Sequence, residues 1–344
     1  MDTNALLEKL NEPYGLSGYE EEIQKVVESL FSEYCAGVST DKLGNVIGFI
    51  PCGKEGAKKV MIEAHMDEIG MVVAKINDDG TLLASPIGGI DLKILPAAEV
   101  IVHGKEKLYG VVGAKPPHLI DKNKSEALSM DDLAIDIGFS KQEAEKLVNV
   151  GDRITFKSGY TKLLSNNAAS RCHDDRAGIA SLILAAEYLK RLKCDFDIYL
   201  CATVQEEVGL RGAKTLAYKL NPDLAVSVDV CHGTTPDASD GTFPLGKGPV
   251  ITIGPNTHRK LTNKLIDIAK AEKIDFQIDV DGGNTGTNAW AIQVAREGIP
   301  CILISIPLRY MHTTVETLNT QDVEKTGKLI SLFLNKIEGE DICF

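Results

Sequence analysis

Residues 59–76 read KVMIEAHMDEIGMVVAKI, and the architecture turns on how this stretch divides. Its first part, VMIEAH, is a near-continuous apolar run, the pattern of a strand buried within a sheet. From Gly70 the texture changes. Short β-type runs (GMVVAKI, TLLASPI, EVIVHG, LYGVVG, DRITFKS) follow one another, separated by Gly, Pro and Asp-Gly punctuation. Such a series predicts a small β-barrel or sandwich.

On the N-terminal side, Leu6, Leu7 and Leu10, then Ile23, Val26, Val27 and Leu30, carry helical spacing and predict two short helices. Ser17, three residues before Glu20, reads as a capping box for the second. Asn45 to Ile50 reads as a further strand. Beyond about residue 165, helices and strands alternate: AGIASLILAAEYLKRL precedes FDIYLCATV, GAKTLAYKL precedes DLAVSVDV, and Leu261 to Glu272 precedes FQIDV. This alternation predicts an α/β sheet covered by helices. Residues 1–66 hold too few strands to stand alone, so the expectation is one α/β domain, 1–66 plus 165–344, interrupted by a β-rich insertion at 67–164.

A chain of 344 residues exceeds the usual size of a single core, and 44% hydrophobic with 25% charged residues is ordinary globular composition. The net charge of -12 and pI of about 5.1 disfavour a nucleic-acid partner or an anionic membrane surface. The N-terminus has neither a basic start nor an apolar core, and no run of about 18 apolar residues occurs, so no signal peptide or membrane span is expected. Eight cysteines are scattered without the paired spacing of a zinc knuckle or redox site. A reduced, cytoplasmic chain is expected.

Several polar residues fall where α/β sheets assemble sites, at or just past strand ends. His65 follows VMIEA, Glu206 and Glu207 follow IYLCATVQ, and Asp229 follows LAVSV. His312 follows CILISIP by a short loop, and Asp174 lies just before the helix beginning near Ala177. Two histidines with several carboxylates form an N/O donor set suited to Zn²⁺, Co²⁺ or Mn²⁺ and poorly suited to copper thiolate or iron–sulfur chemistry. The number of carboxylates suits two divalent ions better than one. The period of a strand puts Asp67 on the same face as His65, where it can accept the second imidazole N–H. Each residue alone has a plainer reading: a core histidine, a surface Glu-Glu pair, a helix cap at Asp174-Asp175-Arg176, a turn aspartate, a loop-capping histidine. As a set they point to a metal centre.

Taken together, AHMDEIG (64–70), HDDRAG (173–178), QEEVGLRGA (205–213), SVDV (227–230) and PLRYMHTTVE (307–316) resemble the glutamyl-aminopeptidase-like family of two-metal peptidases that build tetrahedral cages. IGGIDLKILP and GVVGAKPPHL in the insertion add to the likeness. The resemblance implies a zinc-peptidase-like three-layer αβα catalytic domain carrying an inserted barrel. It implies Asp174 as a bridging carboxylate, His65 and Asp229 completing one metal, Glu207 and His312 completing the other, and Asp67 as the partner of His65. Glu206 would be the general base, taking a proton from a water that bridges the metals as it attacks the peptide carbonyl of a short peptide. The ions expected are Zn²⁺ or Co²⁺, with Mn²⁺ as an alternative. The insertion is expected to form a dimer contact, and dimers to assemble into a hollow dodecamer.

Two stretches depart from the family pattern. Ser170-Arg171-Cys172-His173 brings Cys172 and His173, two extra potential donors, beside the bridging aspartate; second-layer or merely buried positions are the alternative. Asn288 stands where the family commonly has aspartate, which either alters recognition of the substrate amine or marks a neutral structural residue. Arg211 and Arg309 would favour an acidic substrate side chain unless structural contacts occupy them. Three rival activities follow from the same residues. A glycosidase would place two carboxylates about a sugar bond without metals. A silent assembly protein would have lost a ligand or the base. A metal-dependent deacylase would need no free α-amine.

Overall fold

The computed structural model describes residues 1–114, 128–238 and 240–342. Helices α1 (Thr3–Asn11) and α2 (Glu21–Ser32) lead into strands β1 (Gly37–Thr40), β2 (Val46–Ile50) and β3 (Lys59–His65). Six strands follow: β4 (Gly70–Ile76), β5 (Leu82–Ile87), β6 (Glu99–His103), β7 (Lys107–Ala114), β8 (Leu133–Asp136) and, after helix α3 (Lys141–Leu147), β9 (Arg153–Phe156). They close into a barrel of order β4-β5-β8-β7-β6-β9. Of the stretch GVVGAKPPHL, residues 115–119 lie outside the described residues.

The chain then returns to the first sheet. Strands β10 (Thr161–Lys162) and β11 (Asn167–Ser170), helix α4 (His173–Leu189), β12 (Asp197–Thr203), α5 (Arg211–Leu220), β13 (Leu224–His232), β14 (Val250–Ile253), α6 (Arg259–Ala271) and β15 (Gln277–Val280) come next. Helix α7 (Asn288–Ile292), β16 (Cys301–Arg309), β17 (Glu316–Asn319) and α8 (Thr320–Lys336) complete it. The sheet runs β1-β2-β12-β3-β13-β16-β17-β11-β10, with β14 on the edge of β16 and β15 outside β14. Its centre, β12-β3-β13-β16, is parallel. Helices α4 and α8 pack together against one face, and α5 and α7 against the other.

The central strands distribute their side chains by period two, and this positions the site. On β3, Val60, Ile62 and Ala64 enter the main core with α4, while Met61 enters the core beneath α5 and α7. Val226, Val228 and Val230 of β13, with Ile302, Ile304 and Ile306 of β16, join the α4 side. The opposite face is apolar only at the strand starts, where Met61, Ala225, Cys301 and Leu303 lie. Towards the strand ends the same face carries Glu63 and His65, Ser227 and Asp229, and Ser305. The register aligns them, Glu63 opposite Ser227, His65 opposite Thr203 and Asp229 opposite Ser305. One face therefore supplies packing, and the other grades from packing to polar groups.

The barrel follows the same rule more simply. Met71, Val73, Val100, Val102, Val112 and Ile154 fill its interior, while Tyr109 and Val111 point outwards. The predicted capping box at Ser17 does not form. Helix α2 begins at Glu21 without a side-chain cap, because the Ser17 hydroxyl donates to Asp67 and Glu20 accepts from the Gly18 and Gln205 amides.

Helix α4, whose first residues are the HDDR motif, is buried almost all round by the sheet, α1 and α8. The approach to α8 is so close that a Cβ at Gly327 would lie 2.8 Å from both Leu184 Cβ and the Ser181 carbonyl. Overpacking of this kind costs about 1–3 kcal/mol, since α4 cannot move without carrying the motif. Gly327→Val is expected to lower the urea midpoint of unfolding accordingly; an unchanged midpoint would mean the two helices are free to separate.

Candidate active site

The strand ends, the start of α4 and the 310–316 loop meet at one cleft of about 520 Å³, lined by His65, Asp174, Glu206, Glu207, Asp229 and His312 among others. Asp174 lies at the centre. Its Oδ1 is 3.0 Å from His65 Nε2, and its Oδ2 is 3.2 Å from His312 Nε2. His312 Nε2 is also 3.3 Å from Glu207 Oε1. Two groups have ligand atoms within 4.8 Å of one another: His65 with Asp174 and Glu207, and His65 with Asp175 and Asp229. The five sequence-predicted ligands are thus neighbours. Asp175 joins them unforeseen, its Oδ1 accepting from the Gly178 amide and its buried Oδ2 without a hydrogen-bond partner among the described residues.

A layer of buried groups holds these side chains. His65 Nδ1 lies 3.2 Å from the Asp67 carbonyl and 3.5 Å from its Oδ1. The Asp67 carboxylate accepts from Ser17 and from the backbone amides of Glu206 and Glu207, so it fixes the Glu-Glu turn as well as the imidazole. Glu316, fully buried, accepts from the amides of Asp174 (3.0 Å) and His312 (2.9 Å). The Gly89 carbonyl, beyond β5 of the barrel, accepts from His312 Nδ1 at 2.8 Å. Gln205 and His312 have left-handed backbones (φ 54° and 60°), a conformation that persists only where surrounding contacts hold it.

Burial pushes Asp175, Glu207 and Asp229 above the usual carboxylate range, and neighbouring carboxylates add to it. Glu206 is pushed up to about 9 by burial, with Asp229, Glu207 and Asp67 contributing. Burial opposes the charged form of His312, but Asp174 and Glu207 outweigh it and raise it to about 11. A crowd of buried carboxylates with only two imidazoles to balance it lacks positive charge, and oxygen and nitrogen donors this close fit divalent cations.

A family model described as M42 glutamyl aminopeptidase matches residues 44–329. The chain belongs to this family. It is 37% identical to the lysyl aminopeptidase of Pyrococcus furiosus over 98% of each chain. It superposes on an aminopeptidase of Desulfurococcus kamchatkensis with a TM-score of 0.92 at 37% identity, covering 99% of this chain and 96% of that one. The TET1 peptidase of Pyrococcus horikoshii, which assembles into a tetrahedron or a large octahedral shell, matches with a TM-score of 0.85 at 36% identity over 98% of this chain and 100% of that one. The M42 chain described here is accordingly a metal-dependent aminopeptidase, a hydrolase of peptide bonds.

Its departures from the family pattern are structural. Cys172 Sγ turns to Asn11, 3.4 Å from its Oδ1, and His173 Nδ1 is 3.0 Å from Asn11 Nδ2; both are buried and neither lines the cleft, although Cys172 borders a small cavity that Asp174 and Glu207 also line. Asn288 is buried beneath the site and does not line the cleft; its Nδ2 donates to Glu63 (2.9 Å) and Thr203 (3.0 Å), and its Oδ1 has no hydrogen-bond partner among the described residues. Arg309 donates to the Thr234 carbonyl and Arg211 to Gln205, and neither lines the cleft.

Glu68, three residues after His65, also carries weight that sequence did not indicate. It pairs with Arg171 and Arg176, all three buried, and those guanidiniums grip the carbonyls of Leu10, Asn11, Glu12 and Pro13. Burial raises the Glu68 carboxyl, but the two arginines outweigh it and hold it below its ordinary value. Glu68→Gln leaves two buried cations without their anion, which costs about 3–5 kcal/mol. Chemical denaturation is expected to show that loss; a change under 1 kcal/mol would mean water reaches the arginines.

Proposed function

We propose that the chain removes the N-terminal residue of short peptides at a centre holding two divalent cations, with Glu206 as general base. The observation that carries this reading is the placement of Asp174, whose two oxygens face different imidazoles, His65 at 3.0 Å and His312 at 3.2 Å. A carboxylate so shared is suited to bridge two ions. One ion would be held by His65, Asp229 and Asp174, with Asp175 close enough to contribute, and the other by Asp174, Glu207 and His312. Zn²⁺ or Co²⁺ suit these donors best and Mn²⁺ next. When bound, such ions polarise the peptide carbonyl and acidify water.

Glu206 lines the cleft yet belongs to neither donor group, which leaves its carboxylate free to accept a proton from the attacking water and return it to the leaving amine. Nearby dications would bring it down from about 9 towards a value useful to a base. Asp67 acts by positioning, since it holds His65 and the amides of both glutamates.

The insertion, 67–164, would form the dimer contact, where the barrel exposes Tyr109 and Val111, and dimers would build a dodecameric cage like the tetrahedron of the TET1 relative. Free thiols at the seven described cysteines accord with a reducing cytoplasm.

Release of amino acids from aminoacyl-p-nitroanilides and short peptides is the test. Chelation is expected to abolish cleavage and Zn²⁺, Co²⁺ or Mn²⁺ to restore it. Glu206→Gln is expected to lower kcat by about 10²–10⁴-fold while metal content is unchanged. Cleavage that survives chelation would contradict the metal centre, a fully active Glu206→Gln would remove its role as base, and equal cleavage of N-acetylated substrates would indicate a deacylase.

A further inference from the structure

The cleft extends well beyond the proposed ligands, and its far wall is acidic. Asp279 and Asp281 line it, whereas neither a lysine nor an arginine does so among the described residues. Asp279 lies on β15, the outermost strand, where alternation exposes Ile278 and Val280 and turns Asp279 into a half-buried position. It has no ion-pair partner among the described residues. Burial and the neighbouring Asp281 both disfavour its charge in the empty cleft, so a cation there would be stabilised.

Strand register sets how far this acid stands from the chemistry. Asp229 of β13 pairs with Ser305 of β16, Ser305 with Val250 of β14, and Thr252 of β14 with Asp279 of β15. At roughly 4.8 Å per strand, three steps place β15 roughly 14 Å from β13. A substrate α-amine is attached to the same carbon as the scissile carbonyl and would stay beside the ligand cluster. Only a long side chain reaches across three strands. Leu303 of β16 and Thr252 of β14 line the cleft between these strands, and Phe243, hydrogen-bonded to the end of β13, lines it too, so that Leu303 and Phe243 offer apolar surface to methylene groups.

We propose that Asp279, seconded by Asp281, selects peptides whose N-terminal side chain is a long cation, lysine or arginine. The inference rests on the aminopeptidase reading above and adds to it the substrate class. The stem of such a side chain would lie along Leu303 and Phe243, with its charge at Asp279. A glutamyl side chain would meet the carboxylates of Asp279 and Asp281 there and, among the described residues, neither a lysine nor an arginine.

Lysyl- and norleucyl-p-nitroanilide test this directly, because norleucine keeps the unbranched stem and lacks the ammonium. The metal-loaded wild-type enzyme is expected to favour the lysyl substrate at least tenfold in kcat/KM. Asp279→Asn is expected to cut that ratio about tenfold, and Asp279→Lys to shift preference towards glutamyl-p-nitroanilide. Inhibition of the wild type by free lysine and norleucine provides a check that needs no folded variant, with lysine expected to inhibit at least tenfold more tightly. A norleucyl preference in the wild type, or an unchanged ratio in Asp279→Asn, overturns the inference while leaving the aminopeptidase reading intact. Failure to cleave any aminoacyl substrate with any metal would instead overturn both.

Discussion

The structure depends on holding mutually repelling carboxylates together out of water. Asp174, Glu206, Glu207 and Asp229 line one cleft with two imidazoles between them, and Asp175 lies buried beside His65 and Asp229. Burial alone opposes their charge, and each neighbour opposes it further. Folding must therefore bring backbone and side-chain donors to hold the geometry. Asp67 and Glu316 do this by accepting from the amides of Glu206, Glu207, Asp174 and His312, and Asp175 accepts from the Gly178 amide. Bound metal ions would supply the charge that the protein itself lacks.

The sheet makes this arrangement compatible with a stable core. Its α4 face is apolar from end to end, so the hydrophobic stabilisation of the main core does not depend on the site. The other face is apolar only under α5 and α7, and the polar residues begin where that cover stops. Beneath the ligands, Glu63, Thr203, Ser227 and Asn288 hydrogen-bond one another, which satisfies most of the polar groups that separate the packed region from the cleft. The barrel takes part as well, because the Gly89 carbonyl orients His312.

Much of this was legible in the sequence, and the failures have physical reasons. VMIEAH reads as a buried strand because both of its faces are covered, and β3 spans Lys59–His65 as expected. The barrel runs were visible because Gly, Pro and Asp-Gly separate them. Strand β14 has only four residues and β17 reads Glu-Thr-Leu-Asn, too short or too polar for periodicity to reveal. Helix α8 does carry a period, in Val323, Ile330, Phe333 and Leu334, but it holds none of the candidate ligands. Local spacing also misassigned Ser17, since a serine three residues before a glutamate reads as a cap whereas its hydroxyl is taken by Asp67, fifty residues away. His65, Glu206, Glu207 and Asp229 were legible as strand-end polar residues, His312 as a loop residue beyond a strand, Asp174 as a residue at a helix start and Asp67 from the strand period; the structure brings the first six to one cleft. Asp175, Glu316 and Glu68 were not legible, because each acts through partners distant in sequence.

We propose that this carboxylate cluster holds two ions bridged by Asp174. Elemental analysis of protein loaded with Zn²⁺ and freed of excess measures it most directly. Two ions per chain in the wild type, about one in His312→Ala and none in Asp174→Ala, with each variant still folded, is the result this account predicts. A single ion in the wild type, or two retained in Asp174→Ala, would contradict it.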